Sequence, residues 1–115
     1  MKTKFLISII TFSLLSAFAF AGDEVTEAKF KVFGNCTECK ARIEGALKIN
    51  EVKSATWDVK KKILSVAYQS SAITLDSLQK RVASVGHDTE KYKATDEVYN
   101  ELPGCCLYRG ESTKH

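Results

Sequence analysis

Proline is nearly missing from these 115 residues: the only one, Pro103, stands close to the C-terminus and follows no strand pattern. Excess charge of either sign is missing too. The chain has 17 basic and 14 acidic side chains. Its lysines (among them Lys29, Lys31, Lys40, Lys48, Lys53 and Lys60 to Lys62) are spread out without interleaved base-stacking aromatics. A nucleic-acid groove needs clustered cations and stacking surfaces, so the pattern reads as a solvated surface and no nucleic acid is expected as a partner. Internal repeats and low-complexity segments are also absent, which leaves no sign of a solenoid or a repeat array.

What is present begins with an export signal. Lys2 and Lys4 precede an apolar run from Phe5 through Phe20 broken only by Ser and Thr, and Ala19-Phe20-Ala21 fits a small-X-small cleavage site. An uncleaved membrane anchor would need about 20 apolar residues, and the hydroxylated residues and the Ala-X-Ala ending favour cleavage instead. No cysteine lies at the cleavage point to carry a lipid. The reading is therefore a signal peptide over 1–21, a domain over 22–94 and a C-terminal, cysteine-containing extension over 95–115. The product is periplasmic or secreted, with no stable membrane association after cleavage. Removing 21 residues from 115 leaves 94, enough for one small domain with a single core. Losing Lys2 and Lys4 leaves 15 basic side chains against 14 acidic ones, close to neutral.

All four cysteines, Cys36, Cys39, Cys105 and Cys106, follow the signal. An even count in an exported chain suggests disulfides. Pairing within Cys36-Thr37-Glu38-Cys39, or between adjacent Cys105 and Cys106, would however restrain little chain entropy. Pairing across the two motifs would staple the tail to the domain. The Cys-X-X-Cys lies between an alternating strand pattern, Ala28 to Phe33, and an amphipathic helix pattern, Lys40 to Lys48. The first turn of a helix has unpaired N–H groups and a partial positive charge, and both favour thiolate over thiol. Free cysteine titrates near about 8.5, so a modest lowering gives a useful thiolate population at neutral pH. Metal binding and redox chemistry both remain open at this point.

The remaining pattern reads strand, helix, two strands, helix, strand. Ala28, Phe30 and Val32 share one face of the first strand, opposite Lys29 and Lys31. In the first helix Ile43 and Leu47 are four apart, and Cys39 lies one turn earlier, bordering the core. Ala55, Trp57 and Val59 alternate as strand two, Lys60 to Lys62 form a charged hairpin turn, and Leu64, Val66 and Tyr68 share a face of strand three. Thr74 caps a second helix with Asp76 in its first turn and Leu75, Leu78, Val82 and Val85 at helical spacing, which Gly86 ends as a left-handed cap would. His87 to Ala94 supplies a weaker last strand, and Asp96 to Leu102 fits a short helix before Pro103-Gly104. Both helices can bury their apolar faces on one side of a four-stranded antiparallel sheet, an α+β split β-α-β arrangement. Trp57, Phe30, Phe33 and Tyr68 read as core, and Tyr92, Tyr99 and Tyr108 as packing for the extension.

Phe33-Gly34-Asn35-Cys36-Thr37-Glu38-Cys39, Arg42 to Leu47, Val52 to Ala55, Val66 to Tyr68 and Val85-Gly86-His87-Asp88 together resemble the heavy-metal-associated (HMA) domain family. That family includes copper chaperones, periplasmic mercuric-ion-binding proteins and the N-terminal modules of metal-pumping P-type ATPases. The resemblance covers about residues 27–93. It implies a ferredoxin-like βαββαβ fold binding a soft metal through Cys36 and Cys39. Two departures matter. Asn35 stands where the family usually has a core-packing Met, so the loop loses an apolar contact, and a Pro-Gly-Cys-Cys tail follows the usual end of the module.

Thiolates select soft ions, and two cysteines without other ligands favour Cu(I) or Hg(II); Zn(II) or Cd(II) would want a fuller shell. Cys105 or Cys106, folded back, would raise the coordination number. The resemblance also brings His87 beside the cysteine loop, as an imidazole ligand or as a residue merely stabilised by the helix dipole. Glu38 reads either as a tuner of the thiols or as an exposed helix-start carboxylate. The leading expectation is a non-enzymatic protein that captures a soft ion outside the cytoplasm. It would hand the ion to a metal-exporting or metal-importing membrane transporter or to another metal-binding protein. A thiol-disulfide oxidoreductase using the same pair is the alternative. It is disfavoured because Pro103 follows no thioredoxin-like strand and no Trp precedes Cys36.

Overall fold

The computed structural model describes residues 24–109; the export signal expected over 1–21 and His115 lie outside the described residues. Three antiparallel strands, β1 (Val25–Lys31), β2 (Val52–Asp58) and β3 (Ile63–Gln69), form a sheet in the order β1-β3-β2. Register sets the core layers. Phe30 pairs with Leu64 and Leu64 with Trp57, while Ala28 pairs with Val66 and Val66 with Ala55, so the predicted period-two faces meet side by side. The opposite sheet face carries exposed Glu27, Lys29, Thr56 and Ser65.

Helix α1 (Thr37–Gly45) follows β1 and α2 (Leu75–Ser84) follows β3. Ile43 of α1, Leu47 just beyond it, and Leu78 and Val82 of α2 join Phe30, Trp57, Leu64, Val66 and Tyr68 in one buried cluster. Full burial of each such side chain is worth about 1.5–3 kcal/mol. Polar contacts fix α1 against edge strand β2: Glu44 Oε2 accepts from the Trp57 N–H at 2.8 Å, and Lys40 Nζ donates to the Trp57 carbonyl at 3.0 Å. Thr74 caps α2 by accepting from the Ser77 N–H at 3.0 Å. Gly86 follows with φ +109°, and a Cβ there would lie 2.8 Å from the Leu102 side chain. Both the left-handed conformation and the close approach of Leu102 require glycine.

The expected fourth strand does not form. Strand pairing between residues 87–94 and β1's continuation is reduced to a single bridge, Val32 with Thr89. The reason lies in the backbone donors: the Thr89 N–H bonds the Tyr92 carbonyl at 2.7 Å, and the Thr89 hydroxyl accepts from the N–H groups of Lys91 and Tyr92. Asp88 Oδ1 then accepts from the Ala94 N–H at 2.8 Å. These bonds close a turn where a ladder would have run.

Beyond residue 94 the chain continues as α3 (Asp96–Asn100), capped by Thr95, and a 3-10 turn, Gly104–Cys106. Ala94, Tyr99, Leu102 and Cys106 belong to the same buried cluster as the sheet and helices, so the extension is built into the core rather than appended to it. Among the described residues no helix is long and apolar enough to cross a membrane.

Candidate metal centre

The loop between β1 and α1 is held from behind. Trp57 Nε1 donates to the Val32 carbonyl at 3.0 Å and His87 Nδ1 lies 2.8 Å from the Phe33 carbonyl, so two consecutive carbonyls leading into the loop are fixed. Gly34 then lies flat on the core: a Cβ would come within 3.0 Å of the Trp57 ring and 3.1 Å of Cys39 Cβ. Phe33, expected in the core, is instead among the exposed large hydrophobic residues, because the strand alternation that buries Val32 turns Phe33 outward.

Cys36 occupies the N-cap of α1 with an extended backbone, and Cys39 sits in the first turn, fully buried. Their sulfurs are 3.7 Å apart. Burial alone would raise the Cys36 thiol. The N–H of Cys39, the Cys105 side chain and the N–H of Glu38 outweigh burial and bring it down from 9.0 to about 7, the effect expected of unpaired donors at a helix start. Cys39 Sγ accepts from the Asn35 N–H at 3.3 Å.

The tail returns to this loop and separates its two cysteines. Cys106 is fully buried, with Sγ 2.8 Å from Cys39 Sγ. The sulfurs of Cys36, Cys39 and Cys106 all lie within 4.8 Å of one another, and all are free thiols. Burial and then the Cys39 sulfur push the Cys106 thiol far up. Cys105 is exposed. Its carbonyl accepts from Asn35 Nδ2 at 3.3 Å, its thiol lies 3.4 Å from Glu38 Oε1, and its sulfur is 4.0 Å from that of Cys106. Hydrogen bonding to Cys36, partial desolvation and the Glu38 carboxylate raise the Cys105 thiol to about 11. Glu38 thus meets the tail thiol, and Asn35, which cannot supply the apolar contact of a Met, supplies a polar one.

His87 lies outside the three-sulfur group. It is fully buried and stacks on Tyr108 at 5.3 Å. Its Nε2 has no hydrogen-bond partner. Burial lowers its pKa, although the Phe33 carbonyl works against this. A neutral ring with Nδ1–H on the Phe33 carbonyl is the consistent tautomer. Tyr108 donates its hydroxyl to the Gly86 carbonyl and accepts from the Asp88 N–H, both at 2.7 Å. Arg109 binds Asp88 at 2.8 Å, the Ala94 carbonyl at 2.7 Å and Asp96 at 3.0 Å. Sequence reasoning missed the Asp88–Arg109 pair and the role of Asn35, because partners 21 and 70 positions apart leave no local signal.

Known proteins resemble the part of the chain that carries Cys36 and Cys39. A model of the heavy-metal-associated domain matches residues 29–88. No curated protein shows a significant match. Among solved structures, the CopZ metallochaperone is similar at 27% identity and TM-score 0.53, over 56% of this chain and 98% of that one. The N-terminal domain of a potential copper-translocating P-type ATPase from Bacillus subtilis, in its Cu(I)-loaded state, is similar at 26% identity and TM-score 0.54, over 57% of this chain and 85% of that one. The N-terminal soluble domains of Bacillus subtilis CopA are similar at 25% identity and TM-score 0.54, over 57% of this chain and 46% of that one.

Proposed function

The chain belongs to the heavy-metal-associated domain family, and on that footing we propose that it is a non-enzymatic carrier. It binds one soft metal ion, Cu(I) before Hg(II), through the Cys36 and Cys39 thiolates, and passes the ion on outside the cytoplasm. The observation that carries this reading is the pair of sulfurs 3.7 Å apart at the start of α1, one of them lowered to about 7. A low thiol pKa offers a thiolate to a metal at neutral pH, and soft sulfur prefers Cu(I) or Hg(II) over hard cations. Zn(II) and Cd(II) are weaker candidates because they prefer a fuller shell.

Handover proceeds by ligand exchange. An incoming thiolate bonds to the ion before Cys36 leaves, so the ion is never stripped bare and its oxidation state does not change. Similarity to a metallochaperone and to the N-terminal domain of a metal-translocating ATPase supports a recipient of the same kind, a membrane transporter or another metal-binding protein. The sequence pattern over 1–21 supports export to the periplasm or beyond.

Alkylation of the reduced protein before and after one equivalent of Cu(I) tests the reading. Loading is expected to mask Cys36, the partly exposed thiol of the pair. An unmasked Cys36 thiol, together with sustained disulfide reductase turnover that requires both Cys36 and Cys39, would favour the oxidoreductase alternative.

A further inference from the structure

The tail that brings Cys106 to the centre is anchored by contacts that involve no sulfur. Tyr99 and Leu102 are buried, Tyr108 bridges Gly86 and Asp88, and Arg109 grips Asp88 and the Ala94 carbonyl. Between these anchors the 3-10 turn drives its two cysteines in different directions, one into the core and one to the surface. Asn35 fixes the approach by holding the Cys105 carbonyl at 3.3 Å.

We infer that Cys106 is the third ligand of the metal centre, so that the soft ion is held by the thiolates of Cys36, Cys39 and Cys106 in a trigonal arrangement, with Cys105 outside it. This deepens the function proposed above and rests on it. Three sulfurs already lie within 4.8 Å of one another, close to the span of one ion's shell. With a metal–sulfur bond of about 2.3 Å, three sulfurs around one ion stand about 4.0 Å apart, whereas two in line stand about 4.6 Å apart. The observed 3.7 Å between Cys36 and Cys39 is nearer the trigonal value. Cys106, at 2.8 Å from Cys39, needs to withdraw by only about 1 Å to reach it. A buried cysteine can serve as a small apolar filler. That role does not explain why Cys106 packs sulfur to sulfur against the metal motif.

The bond-forming step balances without redox chemistry. The Cys106 thiol releases its proton to solvent as its sulfur bonds to the ion, and the oxidation state of the ion is unchanged. A third thiolate has two consequences. Release of the ion requires Cys106 to detach as well as both motif cysteines. The charge of the loaded site also becomes one unit more negative, −2 with a monovalent ion but −1 with a divalent one. Low-dielectric surroundings penalise the higher charge, so Cys106 shifts preference toward divalent soft ions.

X-ray absorption on the reduced protein loaded with Cu(I) or Cd(II) counts the sulfurs directly. Three are expected in the unaltered chain and in Cys105→Ser, and two in Cys106→Ser. The Cd(II)-to-Cu(I) affinity ratio is expected to fall by about tenfold or more in Cys106→Ser. Two sulfurs from the unaltered chain with both ions would overturn the inference while leaving the two-cysteine carrier intact. Three sulfurs retained in Cys106→Ser would do the same. An ion bound without sulfur would overturn the carrier reading itself. Because Cys106 is buried and its replacement can disturb the fold, the counts on the unaltered chain and on exposed Cys105→Ser decide the matter together: three sulfurs in the first and two in the second would assign the third ligand to Cys105 and overturn the inference.

Discussion

Asn35 Nδ2 donates to the carbonyl of Cys105 at 3.3 Å, tying the residue before Cys36 to the residue before Cys106 across 70 positions of chain. The site and its tail are therefore one structure. This bond is exposed and neutral, so Asn35→Ala is expected to cost no more than about 1 kcal/mol of stability. Urea unfolding of the apoprotein measures that cost. Tail cysteines in the variant should react faster with a thiol reagent, and unchanged rates would mean the bond does not hold the tail.

The thiols should titrate in a set order. In the reduced apoprotein, alkylation of Cys36 is expected to rise with a midpoint near pH 7, and that of Cys105 near pH 11. Mass-spectrometric peptide mapping across pH separates the two. A Cys36 midpoint at the ordinary thiol value would show that the α1 N-terminus does not stabilise its thiolate.

Asp88 and Arg109 join the β-α unit to the end of the tail. The Asp88 side chain is only 10% exposed, so Arg109→Met leaves a largely buried carboxylate without its main partner. A loss of about 2 kcal/mol is expected, below the fully buried case because Arg109 keeps some solvent contact. The Asp88 pKa is lowered: burial alone would raise it, and the hydrogen bonds from Arg109 and from the Ala94 N–H overcome that. A depressed carboxylate pKa stabilises the fold above its unfolded value of about 3.9, and that contribution disappears as pH falls through the folded value. The stability gap between wild type and Arg109→Met should accordingly be full at pH 7 and shrink below pH 4. A gap independent of pH would contradict the ion-pair account.

His87 behaves as a buried base. Its lowered pKa follows mainly from desolvation, so below about pH 6.5 the unfolded chain takes up a proton that the folded chain refuses. Apoprotein stability is expected to decline from pH 7 to pH 5, and the decline should be smaller in His87→Phe. An identical pH dependence in both proteins would show that His87 is not the responsible group.

The sequence pattern disclosed the elements whose signal is local. Alternation at Ala28, Phe30 and Val32, the Thr74 cap and the glycine at position 86 all reappear in the structure, as does the short helix after Asp96. Two adjacent cysteines rarely share one buried pocket, and the structure resolves that conflict by burying Cys106 and exposing Cys105. The fourth strand failed because Thr89 and Asp88 capture nearby N–H groups, a competition that hydrophobic periodicity does not register. Asn35 appeared only as a lost apolar contact, since its partner is 70 residues away.

The carrier account is tested most directly by competition between the reduced protein and a chromogenic Cu(I) chelator, with the double variant Cys36→Ser, Cys39→Ser measured alongside. One Cu(I) per chain is expected in the unaltered protein, and an affinity lower by at least about a hundredfold in the double variant, because serine oxygen is a poor ligand for a soft ion. Equal Cu(I) affinity in the two proteins would contradict the account.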